Sequence, residues 1–201
     1  LGDDAIITNS GNITGADEGI DSRGANAIIT NSGTINAGDD GIVSGGAGSI
    51  INNSGIINGG NNGIALYGIN TIITNSGTIT GNVVGISSVG DDAIITNSGT
   101  ITGGAVGIDS IGDDATINNS GHITGTTLAV RGGNSDNLTL NLLKGSQLMG
   151  PIDLRGADND TVNIHGGSVS ATLTFLNTEN INLLGPGLKL SGDVVAVSVD
   201  G

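Results

Sequence analysis

A chain of 201 residues with 38 Gly, an aromatic content of 1% carried by Tyr67 and Phe175 alone, and neither Trp nor Cys cannot fill the centre of an ordinary globule, whose core is dominated by large side chains. Its apolar 36% is almost wholly Ile, Val, Leu and Ala, too β-branched for a disordered chain, and predicts a folded all-β protein. A formal charge of -14 repels phosphate backbones and anionic membrane surfaces, which excludes nucleic acid as a partner.

Asn-Ser-Gly begins at Asn9, Asn31, Asn53, Asn75, Asn97 and Asn119, so each interval is 22 residues without an insertion. Such a period marks a solenoid. Three apolar columns accompany it. The first is Ile7, Ile29, Ile51, Ile73, Ile95 and Ile117; the second is Ile13, Ile35, Ile57, Ile79, Ile101 and Ile123; the third is Ile20, Ile42, Ile64, Ile86, Ile108 and Val130. The segments around them, such as Ala93-Ile94-Ile95-Thr96, Thr100-Ile101-Thr102 and Gly107-Ile108-Asp109-Ser110, are short, β-branched and bounded by Gly, Asn and Asp, which predicts strands between turns and disfavours helix.

Three strands per coil, each with one Ile inward, make a triangular cross-section whose equivalent residues stack about 4.8 Å apart. The prediction is a right-handed parallel β-helix of about nine coils with three strands per ~22-residue coil. A period of 22 is not a multiple of six, which disfavours the left-handed hexapeptide type. Stacked Asn amides should hydrogen-bond along the column, and the following Ser-Gly should make a tight corner. Ile6, Ile28, Ile50, Ile72 and Ile94 give way to Thr116 in the sixth copy, so this column should face outward as an apolar stripe flanked by Thr8, Thr30, Thr74 and Thr96.

Past residue 132 the strict repeat ends but alternation persists, in Leu138–Leu142, Thr161–Ile164, Ala171–Phe175, Asn180–Leu183 and Val195–Val199. This part reads as degenerate coils of variable length over 133–201, with Pro151 and Pro186 at turns or edges, continuing 1–132 as one domain over 1–201. The aliphatic run Val194–Val197 is far too short to span a membrane, so no direct membrane insertion is expected. Leu1-Gly2-Asp3-Asp4 lacks the features of a signal segment, and the chain reads as a piece of a longer one.

Two features resemble the passenger regions of bacterial autotransporters, the type V secretion proteins. One is the tandem unit Ile-Ile-Thr-Asn-Ser-Gly-Thr-Ile-Thr-Gly at 72–81 and 94–103. The other is Gly150–Ile164 followed by Phe175–Leu183, which is similar to segments near the barrel-proximal end of such passengers. The resemblance implies a right-handed β-helical stalk, exported and either displayed at the cell surface or released, anchored to the outer membrane by a C-terminal barrel outside this chain. It implies roles of the family's kind in adhesion, self-association or virulence, with self-association or a host-surface glycan or protein as partner. The absence of Cys fits export.

No catalytic residue, cofactor-binding residue or metal ligand is expected, and the protein is expected not to be an enzyme. The enzymatic alternative, a polysaccharide-acting β-helix fragment, needs clustered carboxylates beside a base or an Arg, usually in a cleft between long loops. The even spacing leaves no room for such loops in the first 132 residues, and Arg23 and Arg131 read as standing alone. His122 and His165 read as surface residues, and Ser10 with its repeats lacks a partnering His.

Calcium is the cofactor alternative, in a β-roll-like protein. Asp3-Asp4, Asp91-Asp92 and Asp113-Asp114 share one turn of their coils, where a hard cation could bridge stacked carboxylates. Against it, Ala25-Asn26, Ala47-Gly48 and Ile69-Asn70 occupy that turn in other coils, and Gly132–Asp136 and Gly156–Asp160 only half match the calcium-binding nonapeptide. Solvated turn carboxylates, with no cofactor, are the expectation. Ice binding needs a regular Thr lattice, which Asn12, Asn36, Ile56 and His122 break. The outward Thr, Asn and Asp ladders suit lateral self-association or glycan contact, weak per coil and additive along the rod.

Overall fold

In the computed structural model, which describes residues 1–133, 137–155, 159–165, 168–170, 174–176, 178, 180–184, 189–191 and 195–197, each period folds as three short strands that pair with the same strands one coil away. The result is three parallel sheets, each nine strands deep. The first sheet begins with Ile6–Asn9 and Ile28–Asn31, the second with Asn12–Gly15 and Thr34–Ala37, and the third with Ile20–Ser22 and Ile42–Ser44. No helix occurs among the described residues, so none is long and apolar enough to cross a membrane.

Register follows the sequence columns. Ile73 faces Ile51 and Ile95, Ile79 faces Ile57 and Ile101, and Ile86 faces Ile64 and Ile108. These side chains are fully buried in one continuous core that reaches Phe175. At a strand period of two, burying Ile73 and Asn75 turns Ile72 and Thr74 to solvent, which is the pattern found.

The fold expected from the sequence is a parallel β-solenoid with a repeat of ~22 residues, and the structure has it: within sheets nine strands deep about seven turns keep that repeat, slightly fewer than the nine such coils expected. The difference lies in the later coils. Facing Asn residues are 23 apart from Asn118 to Asn141, 22 apart from Asn141 to Asn163 and 19 apart from Asn163 to Asn182. Turns there lengthen and shorten while the strands stay paired.

Each corner has its own chemistry. At the first, Asn75 donates from Nδ2 to Asn97 Oδ1 at 2.8 Å and to the carbonyls of Gly77 and Thr100 at 3.3 Å each, so a buried amide is satisfied within its own coil and the next. The same amide contact, at 2.8 Å, links Asn9 to Asn31, Asn31 to Asn53, Asn53 to Asn75 and Asn97 to Asn119. It stops where Leu142 faces Asn119. At the second corner a Cβ on Gly103 would lie 1.7 Å from the Val106 carbonyl oxygen, so only Gly lets the backbone turn this closely.

The third corner is the turn already aligned from Asp3-Asp4 to Asp113-Asp114, and its left-handed backbone was not foreseen. Asp4, Asn26, Gly48, Asn70, Asp92, Asp114, Asn137 and Asn159 all have φ between 54° and 72°. Asn, Asp and Gly are the residues that tolerate this left-handed conformation.

Candidate functional site

The outward face of the first sheet carries the expected apolar stripe. Ile6, Ile28, Ile50, Ile72 and Ile94 stack in register, ending at Thr116. Ile6 is 76% exposed, and Ile28, Ile72 and Ile94 are exposed as well. Beside it run Thr8, Thr30, Asn52, Thr74, Thr96 and Asn118. That second column continues as an Asn ladder, with Nδ2 of Asn141, Asn163 and Asn182 each donating to the Oδ1 one coil back at 2.8–2.9 Å.

On the second sheet the Thr pairs of 78–80 and 100–102 align, Ile56 precedes Thr78 in that column, and the exposed His122 follows Thr100. His165 ends its strand in the first sheet opposite Leu184. The Ser of the repeat serves the corner: Oγ of Ser32, Ser54, Ser98 and Ser120 donates to the carbonyl of the Asn one coil back at 3.3–3.4 Å.

The paired aspartates have backbone tasks. Asp4, Asp92 and Asp114 occupy the left-handed position, and their neighbours accept along the stack: Asp3 Oδ1 from the Ala25 N–H at 2.9 Å and Asp91 Oδ1 from the Asp113 N–H at 3.0 Å. The αL carboxylates also accept side-chain amides, Asp4 from Asn26 at 3.1 Å and Asp114 from Asn137 at 3.0 Å. Among the described residues, no three His, Cys, Asp or Glu side chains gather as a metal site. The decisive parts of both nonapeptide-like stretches, 134–136 and 156–158, lie outside the described residues, as do 171–173, Asn177, Glu179, Pro186 and 198–199.

The reading of Arg23 and Arg131 as isolated is corrected by geometry. Arg23 Nε lies 2.9 and 3.0 Å from the two carboxylate oxygens of Asp21, two residues back, and this hydrogen bond raises the Arg23 pKa. Arg131 stacks between Asp109 and Asp153 in the outward column of the third sheet. Its Nε donates to Asp109 Oδ1 at 2.6 Å, and its Nη2 pairs with the other oxygen. That hydrogen bond, opposed by burial, raises the Arg131 pKa. Arg155 Nε donates in turn to Asp153 Oδ2 at 2.8 Å.

The cluster was detectable in the sequence only by comparing unlike residues one period apart, Asp109 with Arg131 and Arg131 with Asp153. It borders an open cleft of about 200 Å³ lined by Asp109, Ile111, Arg131, Gly132, Gly133 and Arg155.

Comparison with known proteins finds no matching family model, no matching curated protein and no matching solved structure.

Proposed function

We propose that this chain is a β-helical passenger segment of a bacterial autotransporter, serving as a non-catalytic stalk whose first-sheet face associates laterally with a second copy of itself or with another surface. The observation that carries the reading is the outward Ile column of that face, one Ile per coil over five coils, exposed at Ile6, Ile28, Ile72 and Ile94 and half-buried at Ile50, with a Thr or Asn column beside it. Single exposed apolar residues are ordinary on protein surfaces. A ladder repeated at about 4.8 Å is different, because identical partners meet it in register and each coil adds the same small contact.

The parallel β-solenoid and the motif resemblance in residues 72–81, 94–103 and 150–183 support the passenger assignment. In that setting the chain works at the bacterial surface or outside the cell, joined to an outer-membrane barrel. The high negative charge keeps rods from associating indiscriminately and leaves the uncharged Ile and Thr columns as the least repulsive approach.

Cells displaying the passenger should aggregate, and cells displaying Ile28→Lys, Ile72→Lys, Ile94→Lys together should disperse at equal display level. Equal aggregation by the two would remove the stripe from the account. Binding to a glycan array by non-aggregating cells would favour adhesion over self-association.

A further inference from the structure

The outward column of the third sheet, read in register, is Asp21, Val43, Ala65, Ser87, Asp109, Arg131 and Asp153. Its last members form a charge cluster with an inverted exposure. The carboxylates are buried, with Asp109 and Asp153 side chains 5% and 8% exposed, whereas Arg131 and Arg155 are 34% and 53% exposed. The cluster is neutral by count, yet the side chains it shows to solvent are the two arginines. On a rod of net charge -14 this concentrates two of the five basic residues in one cleft.

We infer that the cleft bordered by Arg131 and Arg155 binds the carboxylate of an acidic sugar. Arg155 is the principal partner. Its Nε is held by the buried Asp153 carboxylate, and its two terminal nitrogens have no hydrogen-bond partner among the described residues. A guanidinium braced from behind loses little side-chain freedom on binding, and its planar fork matches the two oxygens of a carboxylate.

The rest of the cleft suits a sugar ring. Gly132 and Gly133 line it with backbone, and a Cβ on Gly133 would come within 2.7 Å of Ile111 Cα, so only Gly lets this wall pack so closely on the coil before it. Ile111, itself exposed, gives an apolar edge for the C–H face of a ring. A volume of about 200 Å³ is smaller than a drug-sized pocket and fits one monosaccharide unit. The site lies on the third sheet, away from the Ile column, and does not depend on the self-association proposed above.

The test is an NMR titration of the ¹⁵N-labelled chain with four probes: trigalacturonate, sialyllactose, the methyl ester of trigalacturonate, and inorganic sulfate. The acidic sugars should shift the amides of Ile111, Gly132 and Gly133 and the Arg155 Nε–H signal. Whichever binds tighter identifies the source of the carboxylate, a uronate within a chain or a terminal sialic acid. Arg155→Gln should weaken binding at least about tenfold and Arg155→Lys should not restore it, because an ammonium lacks the fork.

Arg131→Gln alone takes the partner from a buried carboxylate, so the double variant Asp109→Asn, Arg131→Gln serves as the second probe and should also weaken binding. Absence of shifts with both acidic sugars overturns the proposal. So does equal binding of the methyl ester or of sulfate, or a titration unchanged in Arg155→Gln.

Discussion

Asn75 sits in a ladder where each amide is both donor and acceptor, so a single truncation removes its own bonds, takes the amide donor from Asn97 Oδ1 and takes from the Asn53 amide its shortest acceptor, leaving it the carbonyls of Gly55 and Thr78. Asn75→Ala should therefore cost about 2–3 kcal/mol, read as a lower urea midpoint and faster amide exchange in the coils on either side. The buried Ser residues of the third sheet predict the opposite sign. Ser22, Ser44, Ser88 and Ser110 point their Oγ atoms inward without a hydrogen-bond partner among the described residues, in a column where Leu66 also fits. Ser88→Ala should raise stability by up to about 1 kcal/mol in the same urea titration, and a loss of that size would mean that a water bridges the hydroxyl. The Asn ladder was legible because one residue type recurs at a fixed interval. The turn shared by Asp4, Asn26, Gly48, Asn70, Asp92 and Asp114 was legible as a position but not as a left-handed backbone, because Asp, Asn and Gly share that conformation and no side-chain type, and the Asp109–Arg131 pair was missed because its partners differ in charge.

At the scale of strands and coils, the Ile columns fixed the register, since a shift of one residue would turn every buried Ile to solvent. What the columns could not reveal is the length of the later turns, because a turn that grows or shrinks by a residue or more leaves no mark on the alternation of the strands it joins. Each coil buries too little apolar surface to fold alone and leans on its neighbours, so damage should stay local. Ile101→Ala empties a fully buried position between Ile79 and Ile123 and should cost about 2–5 kcal/mol. Hydrogen exchange should show the strands Thr78–Gly81 and His122–Gly125 losing protection while Ile28–Asn31 keeps it. Uniform loss along the rod would mean that the solenoid unfolds as one cooperative unit.

For the molecule as a whole, the stacked aspartates have backbone conformation and hydrogen bonds to serve, and the expectation of no cofactor there predicts a thermal midpoint unchanged by calcium or by EDTA. A calcium-dependent rise would give those turns a second task. The outward Ile and Thr columns were legible in the sequence as a face, whereas the sheltered carboxylates and exposed guanidiniums of the third sheet needed three dimensions, because burial of Asp109 depends on residues a coil away. Lateral association through the first sheet must work against the repulsion between rods of net charge -14, which salt screens over a Debye length of about 10 Å at 0.1 M. Sedimentation velocity over a range of protein and salt concentrations, on the wild-type chain and on the triple Lys variant at positions 28, 72 and 94, tests the central claim most directly. The wild type should sediment faster as either concentration rises, and the variant should remain a monomer with an unchanged circular-dichroism spectrum. A wild type that stays monomeric throughout, or a variant that associates equally well, would contradict it.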